Sequence, residues 1–178
     1  MTVLIAAVVL VGVLCTVDLA LTVGVIRRLR EYEVQRTVGG ASTSLAPPGT
    51  PVGQFAATTV DGGEVTRDAL ADAGGALVGF FTPHCEPCEQ QLPEFVAYAG
   101  ALSTPVLAVV VGASGDVADL VRALEPVARV VVEEPLGPLA AAFQVRSFPS
   151  VITVDGNGRM TAGGHALAAV RQPVPTGR

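Results

Sequence analysis

Cys85 and Cys88 are spaced C-x-x-C inside residues 78–92, VGFFTPHCEPCEQQL, between an apolar run and a helix-like segment. That pattern is a redox dithiol if a strand ends near Phe81 and a helix begins around Pro87. Cys85 then sits where unpaired backbone N–H groups and the helix dipole favour an anion. The reactive sulfur species is the thiolate, so this geometry selects Cys85 as the nucleophile. Cys88, one helical turn on, faces inward and resolves a mixed disulfide formed at Cys85. Pro87 suits the first helical turn, where its missing N–H costs nothing. Structural zinc uses the same spacing but needs four protein ligands, and only Cys85, Cys88, His84 and the distant His165 are on hand. The redox reading therefore leads, and no metal is expected.

The elements around the dithiol follow from apolar periodicity. Residues 76–81 are short, apolar and end in two phenylalanines, as expected of a central strand buried on both faces. Over residues 87–102, Leu92, Phe95, Val96, Ala99 and Leu102 fall on one helical face, and Pro93 is expected to kink that helix. Residues 52–60 and 64–66, joined by Asp61-Gly62-Gly63, read as a small hairpin. Thr66 is placed to cap a helix over 67–73, which Gly74-Gly75 ends. Residues 105–111 form a second buried strand, 112–115 a turn, 116–124 a helix, 129–133 a third strand and 139–143 a short helix. Residues 150–155 and 159–161 make a terminal hairpin around Gly156-Asn157-Gly158. Helices alternating with parallel strands ahead of an antiparallel pair imply an α/β sandwich. A short helix follows Gly164, and the Pro-containing tail from Gln172 is expected to be disordered. No repeat and no phosphate-binding glycine motif is present, so no cofactor is implied. The segment from Pro51 onward is ample for one core.

The N-terminal part has a different character. Residues 2–26 are almost wholly apolar, broken by Asp18 and a few small or hydroxyl residues. A stretch of that length can cross a hydrocarbon core of about 30 Å. A cleaved signal peptide is the alternative. No Lys or Arg precedes the run, however, it exceeds a usual signal core, and Leu14 is too bulky before Cys15 for lipoprotein cleavage. An uncleaved single-span anchor is the reading taken. Cys15 is then a small lipid-facing or packing residue, and Asp18 has no assigned role. Arg27, Arg28, Arg30 and Arg36, mixed with Glu31 and Glu33, flank the span, and by the positive-inside rule they place this end in the cytoplasm. Residues 39–50 have the Gly, Ser, Pro and Thr content of a linker. A net charge of −5 with no lysine at all excludes a nucleic-acid surface.

With residues 81–93 in view, the chain resembles the thioredoxin fold and, more narrowly, membrane-anchored proteins of the TlpA and ResA type. The resemblance covers most of residues 51–164. It includes the P-x-G-x-x-F start at Pro51, Gly53 and Phe55, the helix proline at Pro93, and Ser147-Phe148-Pro149-Ser150-Val151 as the cis-proline segment. It implies a mixed central sheet flanked by helices, a Phe148–Pro149 bond that is cis beside the dithiol, and a Phe148 backbone that pairs with a bound substrate chain. C-E-P-C is similar to the ResA group, which reduces disulfides in cytochrome c maturation. Phe81-Thr82-Pro83 and Leu92-Pro93 are more similar to MauD-type proteins of methylamine dehydrogenase maturation. Both groups imply client protein disulfides or thiols as partners, together with a membrane-bound thiol electron donor.

The chain departs from these relatives in its proton handling. His84 replaces the usual thioredoxin Trp, Gly79 replaces a buried Asp, and Gln91 replaces the ResA-type Glu. Glu86 opposes a thiolate at Cys85 while the helix dipole favours it, so Glu86, Glu89 or water must accept the proton. His84 either supports the thiolate as imidazolium or simply fills the Trp position at the surface. His165, with no motif around it, reads as a surface residue at a helix start. Two other functions compete with thiol–disulfide exchange. Thr82-x-x-Cys85 is similar to the peroxiredoxin motif, although Val78 stands where that motif has proline. A tethered metal or client-maturation chaperone is the non-enzymatic possibility. Persistence of a disulfide points to the extracytoplasmic face, against the arginine flank.

Overall fold

The computed structural model describes Met1 and residues 45–113 and 115–171. The expected membrane span, its charged flank, the first part of the linker and the C-terminal tail lie outside the described residues. Among the described residues no helix is long and apolar enough to cross a membrane.

A five-stranded mixed sheet is built on β3 (Gly75–Phe81), every residue of which is buried. Parallel to it run β4 (Val106–Val111) and then β5 (Arg129–Glu133). On its other side β6 (Ser150–Asp155) is antiparallel, with β7 (Met160–Gly164) at the far edge. The continuous apolar strands Leu77–Phe81 and Val106–Val111 could be satisfied only by burial on both faces, and both faces are covered. Alternation along β3 divides the core in two. Ala76, Val78 and Phe80 pack with Phe55, Val65, Leu70, Leu139 and Phe143 on one face. Leu77 and Phe81 pack with Cys88, Phe95, Ala99, Leu120, Leu124 and Leu167 on the other.

The first face is closed by a separate two-stranded hairpin, β1 (Ala56–Thr58) and β2 (Glu64–Thr66), and by α1 (Arg67–Asp72). Thr66 caps α1, its hydroxyl oxygen accepting from the Ala69 N–H at 3.2 Å. Gly74 and Gly75 follow with φ of 82° and 118°, which L side chains rarely adopt, so the chain turns directly into β3. The short α4 (Pro138–Ala142) lies on the same face. Its N-terminus is held by Glu133, which accepts from the N–H groups of Leu139 at 2.9 Å and Ala140 at 2.8 Å. The second face carries α2 (Glu86–Gly100) and α3 (Ala118–Leu124), with Leu167 just ahead of α5 (Ala168–Arg171).

Several boundaries differ from expectation. The leading strand is only three residues long, because Val52 and Phe55 are buried as loop residues instead of joining a ladder. Helix α2 begins one residue earlier and ends two residues sooner than expected, with Pro93 inside it. The last strand begins one residue later than expected and runs on through Gly163 and Gly164. Residues 45–50, read as the end of a linker, dock on the domain. Leu45 is 5 % exposed within the first core, Gly49 N–H donates to the Met160 carbonyl at 2.7 Å, and Arg159 Nη1 donates to the Gly49 carbonyl at 2.7 Å.

Candidate active site: the Cys85–Cys88 disulfide

Strand β3 ends at Phe81, and Thr82 then fixes the exit of the chain by donating its hydroxyl to the Val111 carbonyl at 2.8 Å. Three residues later Cys85 is the N-cap of α2, with φ −113° and ψ 101°. Its sulfur occupies the place of a capping oxygen and accepts from the Cys88 N–H at 3.3 Å. The Cys85 carbonyl accepts from the N–H groups of Cys88 at 2.9 Å and Glu89 at 3.1 Å. The N-terminus of a fifteen-residue helix is thus aimed at this sulfur, and its partial positive charge favours a thiolate there. Cys85 and Cys88 are joined in a disulfide with their Cα atoms 5.2 Å apart.

The two sulfurs differ in access. Cys88 is fully buried among Phe81, Phe95 and Val151, whereas Cys85 is half-buried at the rim of the same cluster. A partner can reach Cys85, and Cys88 is reached only through it. Opposite Cys85 stands the segment before β6. The Phe148–Pro149 peptide bond is cis, Pro149 is buried, and Cys85 Sγ lies 3.9 Å from the Phe148 carbonyl oxygen. Phe148 packs against both halves of the core.

The supporting residues named from the sequence are placed as follows. Pro87 is in the first turn of α2, where no N–H is required. Glu86 lies on the exposed side of that turn and accepts from Gln90 Nε2 at 3.2 Å. His84 has a φ of 56°, its side chain is 82 % exposed, and its Nε2 lies 4.0 Å from Asp116 Oδ2. Any charge on that imidazole is therefore shared with a carboxylate and bathed in water. Gly79 is buried in β3, and a Cβ at that position would stand 2.7 Å from the Phe95 ring and 2.8 Å from Phe81. The aromatic packing occupies the space a buried carboxylate would need. Among the described residues no three His, Cys, Asp or Glu side chains converge as a metal site would require.

Two residues in contact with the site carried little signal in the sequence. Gln91, one turn past Cys88, donates its Nε2 to the main-chain carbonyl of His165. The His165 ring lies against the cis-proline segment, with Nδ1 2.9 Å from the Pro149 carbonyl oxygen. Gln91 was visible only as a departure from a family pattern, and the position of His165 depends on where β7 ends.

No protein-family model matches the chain, and no curated protein sequence matches it. Solved structures do. The thioredoxin domain of a thiol-disulfide oxidoreductase from Bacteroides vulgatus aligns with a TM-score of 0.57 at 16% identity, over 66% of this chain and 88% of that one. A thio-disulfide isomerase from Thermus thermophilus aligns at 0.56 and 20% identity, over 70% and 90%. A secreted disulfide oxidoreductase from Mycobacterium tuberculosis aligns at 0.52 and 23% identity, over 65% and 86%. At these identities the likeness concerns architecture, and it is consistent across all three. The domain has the thioredoxin fold.

Proposed function

We propose that the protein is a thiol–disulfide oxidoreductase, exchanging electrons with client proteins through Cys85 and Cys88. The observation that carries this reading is the asymmetry of the pair: a reachable sulfur at the N-cap of α2, bonded to a fully buried one. In the reducing direction the Cys85 thiolate attacks a client disulfide. A Cys85–client S–S bond forms as the client's own S–S bond breaks, and one client sulfur leaves as thiolate. Cys88, deprotonated to water or a nearby carboxylate, then attacks Cys85. The mixed disulfide breaks, the second client thiolate leaves, and the Cys85–Cys88 disulfide remains. Two electrons have passed to the client, and an external thiol donor must restore the dithiol. The oxidising direction is the same sequence reversed.

The commitment of the Thr82 hydroxyl proton to the Val111 carbonyl, away from Cys85, favours exchange over the peroxidase alternative. The apolar stretch at residues 2–26 supports a membrane-tethered form of the enzyme. An extracytoplasmic placement is supported by the chemistry of a persistent disulfide and by the secreted character of the Mycobacterium tuberculosis neighbour. The sequence features shared with ResA-type and MauD-type proteins support clients of the cytochrome or enzyme maturation kind, supplied by a membrane-bound thiol donor. The test is turnover of insulin disulfides by the full chain in detergent with a dithiol reductant. Cys85→Ser should abolish the activity, and full activity in that variant would overturn the proposal.

A further inference from the structure

The contacts around His165 join two parts of the site that the chain itself keeps far apart. Gln91 Nε2, on α2 beyond Cys88, donates to the His165 main-chain carbonyl. The His165 ring reaches the other wall, where Nδ1 is 2.9 Å from the Pro149 carbonyl oxygen. A carbonyl oxygen only accepts, so Nδ1 must carry the proton. In the neutral ring Nε2 is then an acceptor, and Ser147 Oγ lies 3.5 Å from it. Ser150 Oγ donates to the Ser147 carbonyl at 2.7 Å and stands 3.5 Å from Nδ1, so the loop is also closed on itself. His165 is exposed as a whole, yet its contact with Pro149 is partly buried.

We propose that Gln91 and His165 are positioning residues that clamp the Phe148–Pro149 loop to the active-site helix and so fix how a client chain meets Cys85. This deepens the exchange reading and rests on it. The loop carbonyl nearest the reactive sulfur, that of Phe148, is one residue from the atom the clamp holds. The residue types fit the task. Gln91 Oε1 is buried without a hydrogen-bond partner, while its Nε2 meets a carbonyl. Rotating the amide would set two acceptors face to face, and an ionised glutamate at this position would do the same. An amide, which donates at every pH, makes the contact.

The test uses the full chain in detergent micelles. Ring nitrogen NMR at about pH 8, where an ordinary histidine is neutral, should show His165 protonated at Nδ1. Protonation at Nε2 would overturn the clamp whether or not the protein proves to be an oxidoreductase. In insulin turnover, His165→Ala should raise KM about fivefold to tenfold, the loss of roughly one hydrogen bond. His165→Asn, whose amide N–H can stand in for Nδ1–H, should recover most of that loss, and Gln91→Glu at neutral pH should behave like His165→Ala. An unchanged KM in His165→Ala, or equal losses in His165→Ala and His165→Asn, would contradict the proposal. Failure of the unmodified protein to turn over insulin would instead count against exchange itself, leaving the tautomer to decide the clamp.

Discussion

Gly79 on β3 and Phe95 on α2 are in such close register that a Cβ on residue 79 would stand 2.7 Å from the phenylalanine ring. The ring is itself held edge-on to Phe81, with centroids 5.0 Å apart. A side chain at residue 79, an aspartate included, would therefore meet both rings. Gly79→Asp should destabilise the domain by about 3 kcal/mol or more, combining overpacking with an unpaired buried acid. Gly79→Ala should cost about 1–3 kcal/mol through overpacking alone. Urea unfolding of both variants checks the ranking, and a neutral Gly79→Asp would show that the two rings yield.

The acid response of stability should separate two kinds of carboxylate. Thr59 Oγ1 and the Gly63 N–H hold Asp61 below the usual 3.8, and the N–H groups of Arg159 and Asn157 do the same for Asp155. A lowered native pKa contributes stability above the unfolded value that is lost as pH falls through the native one. Burial acts the other way on Glu133 and raises it above 4.5, against the pull of the Leu139 and Ala140 N–H groups. Its contribution therefore grows as pH falls through the raised value and is complete below 4.5. The stability advantage of the unmodified protein over Asp155→Asn should vanish on acidification, while its advantage over Glu133→Gln should widen. Thermal unfolding from neutral pH to about pH 3, spanning ordinary carboxylate values, measures both gaps.

Leu45 ties what reads as linker to the core. Leu45→Ala should cost about 2–3 kcal/mol, the usual range for a buried leucine that leaves a partly collapsible site. Chemical denaturation measures it, and a loss below about 0.5 kcal/mol, the level of an ordinary surface change, would mean that the segment is only loosely held.

Much of the fold was legible because its signals are local. Unbroken apolar runs marked β3 and β4 and the C-x-x-C following one of them marked the site, whereas Phe148-Pro149 was placed opposite it only through the family resemblance. Features that depend on the assembled sheet were not legible. Leu45 finds its pocket only once β7 is in place, and β7 itself was clipped in the reading because Gly163 and Gly164 weaken the strand pattern. His165 meets Pro149 through the hairpin of β6 and β7, a relation no spacing in the sequence encodes. The close approach of Phe95 to Gly79 follows from how α2 crosses β3, which no spacing in the sequence encodes.

The central claim is that Cys85 is the sulfur that meets the client and Cys88 the one that releases it. Its most direct measurement is intact mass and peptide mapping of reduced Cys88→Ser protein mixed with insulin, beside Cys85→Ser treated in the same way. A stable insulin-chain adduct on Cys85 in the first variant, with none on Cys88 in the second, is the predicted result. An adduct on Cys88 in the Cys85→Ser protein, or none in either, would contradict the account.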